Sequence, residues 1–396
     1  MRHGILTINA GSSSIKFALF DTAGGLAKRP ALSGQIDGLG AEVSLKARDE
    51  DGAHLPELSL APGIDHEDAL AALLRWLPQA EGGEGHWQIV AVGHRVVHGG
   101  EVCTQPARVT PELLIALEAF CPLAPLHQPH NLAGVRALAA LMPEASQVVC
   151  FDTAFHSQQA AVARDFGLPR ALTDSGIKRY GFHGISYEFI ARRLPQYTTR
   201  AEGRVVVAHL GNGASLCALQ AGQSVATTMG FTVLDGLVMG TRTGNIDPGV
   251  ILYLLESRGL DAAALTHLLY HESGLLGVSG ISQDMRTLLA SEHPAASEAI
   301  ELFCYRAIRE IGSLAAALGG IDALVFCGGI GEHAGEIRRR IVEGCAWLGA
   351  TLDADSNRRA ATRISTAESR VEVLIIPTDE EWMIACHTAE LLGMRV

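Results

Sequence analysis

The chain has no C-x-x-C pair, no excess of positive charge, no apolar run long enough to cross a bilayer and no Walker A loop. Its eight Cys are scattered, and several, such as Cys150, Cys217 and Cys327, sit in strand or helix patterns. That argues for buried free thiols in a reducing compartment. Against 31 Lys and Arg stand 43 Asp and Glu, a net charge of −12, which speaks against nucleic acid or an anionic membrane surface as partner. Any anion site must then be a local basic pocket, so single Arg residues inside polar motifs are informative. No apolar stretch reaches the ~18 residues of a membrane span. Met1-Arg2-His3-Gly4 opens without a signal peptide's apolar run, so a cytoplasmic protein is expected. With 396 residues, 48% of them hydrophobic, the chain should form about two globular domains.

What is present starts near the N-terminus. Residues 6–10 are an apolar run that enters the small-residue turn Gly11-Ser12-Ser13-Ser14, after which Ile15, Phe17 and Leu19 alternate with Lys16 and Ala18. The period of two predicts strand, tight turn, strand. One Gly and three Ser leave the backbone open and offer N–H and O–H donors to an anion. Asn9 at the strand end is a candidate metal ligand, directly or through water, and Lys16 adds a charge that suits phosphate. An ordinary hairpin with a Ser-rich turn shows the same pattern. A P-loop does not, because it needs a second Gly before the Lys and a helix after it. The grammar returns at residues 204–210, Gly211-Asn212-Gly213-Ala214-Ser215 and residues 216–219. A duplicated α/β domain with a phosphate-gripping hairpin in each copy is expected, with a nucleotide between them.

Further apolar strand patterns end in polar residues, where doubly wound sheets collect ligands. Residues 89–93 lead into His94-Arg95-Val96-Val97-His98-Gly99-Gly100. Arg95 offers a planar, permanently charged fork for carboxylate or phosphate, or is a salt-bridged loop residue. His94 and His98 are four apart off any helix, which argues against a zinc pair. Residues 148–151 lead to Asp152, which orients or accepts a proton, or caps the next segment. The Pro-rich stretch 121–131 carries His127 and His130 and suits the wall of a small-molecule pocket, with Asn131 capping a helix to about Leu141. Other helices are expected from Asp65 to Leu77, after Thr110-Pro111-Glu112 and from about Ile185 to Leu194. More are expected within 249–318, one of them opened by Ser282-Gln283-Asp284 and the longest at about 294–318, and residues 82–85 read as a loop. His183, beside Gly184 at a helix N-terminus, is placed to meet an anion or serves structurally. Arg242, between two Thr and two Gly, has little to pack against, which favours a phosphate or carboxylate role. Residues 323–334 read as strand, Gly loop, helix. They fit G-x-G-x-x-A with Asp353 about twenty residues on, but the late position favours a Gly loop for the ribose and phosphates of ATP over a dinucleotide site. Thr378-Asp379-Glu380-Glu381 begins a closing helix whose acids suit the helix dipole. This is equipment for phosphoryl transfer, and a small carboxylate acceptor explains the two Arg better than a sugar does.

INAGSSSIKF, GHRVVHGGE, PLHQPHN, FDTAFH, YGFHGISY, HLGNGAS, MGTRTGNIDPG, GGIGE and PTDEEWMIA occur in this order between residues 5 and about 388. In this the chain resembles the acetokinase family. The resemblance implies the fold of the actin, sugar kinase and heat-shock chaperone ATPases, of ribonuclease H-like type: two duplicated α/β domains around a nucleotide cleft. Residues 1–152, joined by a C-terminal helix at about 380–396, would form the first domain. Residues 153–379 would form the second, with a helical insertion at about 249–318. The implied reaction is ATP + acetate ⇌ ADP + acetyl phosphate, by direct in-line transfer, with Mg²⁺ or Mn²⁺, in a homodimer.

By motif match, Asn9 and Glu380 would position the metal, and Ser12, Ser14 and Lys16 the phosphate end. Arg95 would bind the acid's carboxylate, and Asp152 would be its polar catalytic partner. His183 and Arg242 would stabilise the phosphoryl group in flight, supported by His127 and His209. His209, Leu210, Gly211, Asn212 and Gly213 would cradle ATP, together with Asp284, Met285 and Arg286 and with Gly329, Ile330, Gly331, Glu332 and His333. Val97, Leu126, Phe182 and Val233 would form the acyl pocket. Val233 stands where the family usually has Pro, His333-Ala334 where Asn-Ser is usual, and Asp379 where Asn is frequent. The first departure leaves propionate or butyrate open beside acetate, and the second bears on nucleotide preference. An actin- or chaperone-like ATPase switch is the other class, against which the set of Arg95, His183 and Arg242 speaks.

Overall fold

Period-two patterning becomes strand in both halves of the chain. The computed structural model describes residues 2–11, 14–39, 42–80 and 87–396, without the side chains of 78–80. Ser12, Ser13 and the loop expected at 82–85 lie outside the described residues. The chain divides into two units, Met1–Ala154 with Asp379–Val396, and Phe155–Thr378.

In the first unit, Arg2–Ala10 (β1) pairs antiparallel with Ser14–Asp21 (β2). Leu32–Asp37 (β3), Ser44–Asp49 (β4) and Leu58–Ser59 (β5) continue the meander. Trp87–Val96 (β6), Ala107–Arg108 (β7) and Ser146–Phe151 (β8) lie on the far side of β1. β6 pairs parallel with β1 and with β8, giving the order β5-β4-β3-β2-β1-β6-β8-β7.

Alternation decides what each face of this sheet meets. Leu6 and Ile8, with Ile15, Phe17 and Leu19, share a core with Leu70, Leu73 and Leu138 of helices His66–Ala80 and Gln128–Leu141. Ile5, Ala18 and Phe20 point the other way, onto Ala385 and Ala389 of helix Glu380–Leu391. Each such Leu, Ile or Phe contributes roughly 1.5–3 kcal/mol by leaving water. The same period carries Asn9 onto the Glu380–Leu391 face, with Lys16 as its cross-strand neighbour. Gly93 lets that helix lie close on β6. A Cβ there would come 2.4 Å from Thr388 Oγ1 and 2.7 Å from Ile384 Cγ2.

Helix starts follow local chemistry, with one difference. Thr110 Oγ1 accepts from Leu113 N at 3.2 Å and Pro111 occupies the first turn. The helix opened by Asp65 runs on to Ala80. The helix expected to be capped by Asn131 instead begins at Gln128, with Pro129 in its first turn. Asn131 lies inside it because its amide joins two strand ends. Its Oδ1 accepts from Val97 N at 3.0 Å and its Nδ2 donates to Ala10 O at 2.6 Å.

In the second unit, Arg204–Leu210 (β9), Ala214–Gln220 (β10) and Gln223–Thr227 (β11) form an antiparallel meander. Ala323–Cys327 (β12) and Glu372–Ile375 (β13) extend it in parallel, in the order β11-β10-β9-β12-β13. That repeats the order and sense of β3-β2-β1-β6-β8. The last rungs of the two hairpins are Ala10↔Ile15 and Leu210↔Ala214, and the rungs before them are Asn9↔Lys16 and His209↔Ser215. Helices Pro248–Glu256, Ala262–His271, Gly274–Ser279, Met285–Leu289 and Pro294–Leu318 fill the expected helical region. Asp247, Asp261 and Asp284 accept from backbone N–H groups at three of their starts. Helix Gly184–Arg193 is followed by the 3₁₀ turn Leu194–Gln196. Among the described residues no helix is long and apolar enough to cross a membrane.

Candidate active site

In the first unit, the ends of β1, β6 and β8 meet the start of helix Glu380–Leu391. Asp152, just past β8, is fully buried. Its Oδ1 and Oδ2 accept from Arg95 Nε at 2.9 Å and Nη2 at 2.6 Å. Arg95 Nη1 donates to Asn9 Oδ1 at 3.1 Å, and Asn9 Nδ2 donates to Glu380 Oε2 at 3.3 Å. Burial works against the Arg95 charge, but Asp152 and then Glu380 outweigh it and hold its pKa above the ordinary value. A guanidinium has five N–H donors in a rigid fork. Three are used here, which leaves one on each Nη for an incoming anion. Asp152 thus holds Arg95 through both of its carboxylate oxygens.

Glu381 sits under the same acids. Burial, then the Glu380 charge, pushes its carboxyl up, and Lys16 pulls it back down. Glu380 and Asn9 supply hard oxygen donors on one face, and this donor set fits Mg²⁺, which takes one or two protein carboxylates and keeps its remaining positions for water and phosphate. Ser14 is half-buried, opposite Asp37 on β3. Val97 is buried, and Leu126 and His127 are half-buried at the turn before helix Gln128–Leu141. His94 and His98 serve the fold. His94 Nε2 lies 2.7 Å from Gln147 Oε1, and His98 Nδ1 accepts from Gly100 N at 2.9 Å while its ring stacks on Phe120. Burial pushes both down to about 4.

The second unit gathers its own set around the hairpin β9–β10. His183 precedes helix Gly184–Arg193 in the left-handed region, at φ 57, a conformation that costs a non-glycine residue roughly 1–2 kcal/mol. Its ring stacks on His209, centroids 4.4 Å apart, and its Nδ1 lies 2.9 Å from Ser215 Oγ. Arg242 Nη1 donates to Val233 O at 2.7 Å. Val233 thus holds Arg242 through its backbone carbonyl, which any side chain at that position would supply. The other end of Arg242 approaches His183 beside Gly213, where a Cβ would sit 2.6 Å from Arg242 Nη2 and 3.5 Å from His183 Nε2. Phe182 is buried, and its carbonyl lies 3.0 Å from His156 Nε2.

Next to this pair lies a cavity of about 450 Å³. Gly211, Asn212, Asp284, Met285, Arg286, Gly329, Ile330 and His333 line it, as expected from the motifs, together with Gln283, Leu289 and Ala334. His209, Leu210, Gly213, Gly331 and Glu332 do not line it. His209 turns to His183, and Glu332 Oε1 accepts from Gly328 N at 2.9 Å and Thr378 N at 3.3 Å. The Gly-rich stretch expected as a loop is helical from Gly328 to His333. Gly328 takes φ 75 and leaves no room for a Cβ, which would meet Leu210 O at 2.8 Å, so this helix presses directly on the end of β9. Asp353 caps helix Ala354–Arg358, accepting from Ser356 N at 2.9 Å, and ends no strand as a dinucleotide site would require.

Sequence reasoning missed the group that ties this helix down. Arg338 is buried, and it donates to the carbonyls of Gly331 and Glu332 at 2.9 and 2.8 Å and to Asn357 Oδ1 at 2.8 Å. Carbonyl oxygens at a helix C-terminus are suitable partners for a cation. Within the run Arg338-Arg339-Arg340, only the amphipathic period, which sets Arg338 beside Ile337 and Ile341 among the buried positions, singles it out.

The chain is 56% identical over 392 residues to an acetate kinase of Rhodopseudomonas palustris (strain TIE-1), covering 98% of both chains. The crystal structure of Porphyromonas gingivalis acetate kinase matches with TM-score 0.87 at 36% identity, covering 98% of this chain and 100% of that one. A propionate kinase structure from Francisella tularensis subsp. tularensis SCHU S4 matches with TM-score 0.90 at 35% identity, covering 98% and 99%. The two repeated sheets and these neighbours give the fold of the actin-like ATPases. A family model described as the Acetokinase family matches residues 4–386; with both hairpins and every motif inside that span, the chain belongs to the acetokinase family.

Proposed function

We propose that this enzyme is an acetate kinase, a phosphotransferase with a carboxyl group as acceptor, which transfers the γ-phosphoryl of ATP to acetate. The observation that carries the reading is the approach of His183 Nε2 and Arg242 Nη2 to one point beside Gly213. Two donors aimed at one point suit the equatorial oxygens of a phosphoryl group in flight, where positioning and charge neutralisation supply most of the catalysis. The cavity lined by Asn212, Arg286 and Ile330 takes the nucleotide. Arg95, held by Asp152 and Asn9, offers its two remaining N–H groups to the acid's carboxylate. Asn9 and Glu380 would hold Mg²⁺, which would supply charge neutralisation to the phosphates. Lys16 and Ser14 serve the phosphate end, and His127 and His209 support His183 and Arg242. Transfer is direct and in line, so chiral γ-phosphate would invert; net retention would sink this step.

The acyl pocket draws on Val97, Leu126, Phe182 and Val233. Propionate is the second reading, favoured by Val233 and by likeness to a propionate kinase, because a methylene changes discrimination by only ~1–3 kcal/mol in an apolar pocket. The protein works as a homodimer: helix Pro248–Glu256 exposes Val250, Leu252 and Tyr253, an apolar face suited to a second copy. Free, mostly buried cysteines suit a reducing cytoplasm. The test is hydroxylamine-trappable acyl phosphate formed from ATP with acetate, propionate, butyrate or no acid. Acetate turned over at least as fast as propionate supports the assignment. ATP hydrolysis without acyl phosphate overturns it in favour of an ATPase switch.

A further inference from the structure

We propose that Tyr187, acting through Ser215, holds His183 as a neutral imidazole with its proton on Nε2, the atom that faces Gly213 and Arg242. The geometry stands by itself; the catalytic consequence rests on the phosphotransferase reading.

Ser215 and Tyr187 are both fully buried. Ser215 reaches the site from β10 as the cross-strand partner of His209. Tyr187 follows His183 by one helical turn, and its N–H donates to His183 O at 3.0 Å. Ser215 Oγ lies 2.9 Å from His183 Nδ1 and is also hydrogen-bonded to Tyr187 Oη. Among the described residues the Tyr187 hydroxyl has that one hydrogen-bond partner. Each hydroxyl has one proton to give. If Tyr187 donates to Ser215, then Ser215 donates to Nδ1, the imidazole proton lies on Nε2, and both buried hydroxyl protons have an acceptor. If Nδ1 carries the proton and donates to Ser215, then either the Ser215 or the Tyr187 proton is left buried without an acceptor. An unmet buried donor disfavours that arrangement by about fivefold to a hundredfold. Imidazolium needs the reversed chain as well and meets the same obstacle. Burial holds the phenol in its protonated form, so its proton is always present to be placed. Tyr187 is thus a positioning residue, and Nε2–H presents a hydrogen-bond donor, not a net charge, to the phosphoryl oxygens.

The test reads the ring directly. In the full chain labelled with ¹⁵N-histidine, His183→Gln identifies the His183 resonances, and the expected signature is a protonated Nε2 with a bare Nδ1. Tyr187→Phe removes the proton that sets the chain's direction, so the two tautomers mix and kcat for acyl phosphate falls about fivefold or more, with KM for ATP and acid within about twofold. Ser215→Ala shows the same loss and Ser215→Thr restores both signature and rate. A proton on Nδ1 in the unsubstituted protein, or a Tyr187→Phe protein that keeps the original signature, overturns the proposal even when acyl phosphate forms. The signature is read without substrate. A protein that shows it, loses it in Tyr187→Phe and makes no acyl phosphate supports the positioning and refutes the reaction.

Discussion

Replacing Asp152 with Ala tests whether the first unit holds Arg95 by a buried ion pair. The Asp152 side chain is 1% exposed and that of Arg95 16%, so the substitution leaves a guanidinium away from water without its main partner. Removing one member of such a pair costs roughly 3–5 kcal/mol, mostly the penalty of the charge left behind. Asn9 and Glu380 remain within reach of Arg95, which places the expected loss near the lower figure. For a unit of this size that lowers Tm by roughly 6–12 °C. The double variant Arg95→Met with Asp152→Leu should recover much of the loss, because neither charge remains. Urea titrations of Asp152→Ala, of the singles Arg95→Met and Asp152→Leu and of the double variant give the coupling. Steady-state kinetics should show KM for the acid raised about tenfold or more, with KM for ATP nearly unchanged, since Arg95 is no longer aimed. A loss below about 1 kcal/mol in Asp152→Ala, or a double variant as unstable as the sum of the singles, would refute the account of Arg95 as a charge that depends on its holder.

Gly213→Ala puts a methyl 2.6 Å from Arg242 Nη2; kcat should fall about a hundredfold to a thousandfold, the range for losing one transition-state donor, with Tm almost unchanged, and full activity would show that Arg242 works elsewhere. Val233→Ala keeps the carbonyl that holds Arg242, so kcat should stay close to that of the parent while the propionate-to-acetate ratio of kcat/KM shifts by ~1–3 kcal/mol if the side chain lines the acyl pocket; an unchanged ratio removes Val233 from that pocket. Burial lowers the pKa of both His94 and His156 from 6.5 to about 4. Between those values the unfolded chain takes up protons that the folded one refuses, so stability present at neutral pH is lost as pH falls through that window, on the order of 2 kcal/mol per imidazole by about pH 5. Urea midpoints that stay flat across this range contradict the burial argument.

The parts of the fold that rest on period and punctuation were readable from the sequence. β1–β2 and β9–β10, the helix starts at Thr110 and Asp284 and the long helix to Leu318 all depend on neighbours within a few residues. What could not be read is fixed by contacts distant in sequence. Asn131 looked like a cap because Asn favours caps, yet its amide is spent on Val97 and Ala10. Glycines at 328–331 looked like a loop, yet carbonyls held by Arg338 and the close approach to Leu210 make them a helical turn. In the candidate site, Arg95 stood out as a charged fork at the end of an apolar strand, and Arg242 because between two Thr and two Gly it has little to pack against. Their holders Asp152 and the Val233 carbonyl did not stand out in that role. A carboxylate that orients a neighbour looks the same in sequence as one that reacts, and a backbone carbonyl leaves no mark in sequence at all.

The rung just before the turn of each hairpin holds Asn9 and Lys16 in one copy and His209 and Ser215 in the other. Two copies with the same side chains on that rung would present the same grip twice, which suits only a ligand with matching ends. A nucleoside triphosphate and a two-carbon acid have nothing in common to match. Unequal rungs on equal scaffolds therefore amount to a division of labour: backbone geometry is inherited whole, and specialisation needs only a few side chains at one level of the sheet. The same economy makes that level the place to redesign, since a change of acceptor or donor can be sought there without disturbing the layers that keep each sheet folded.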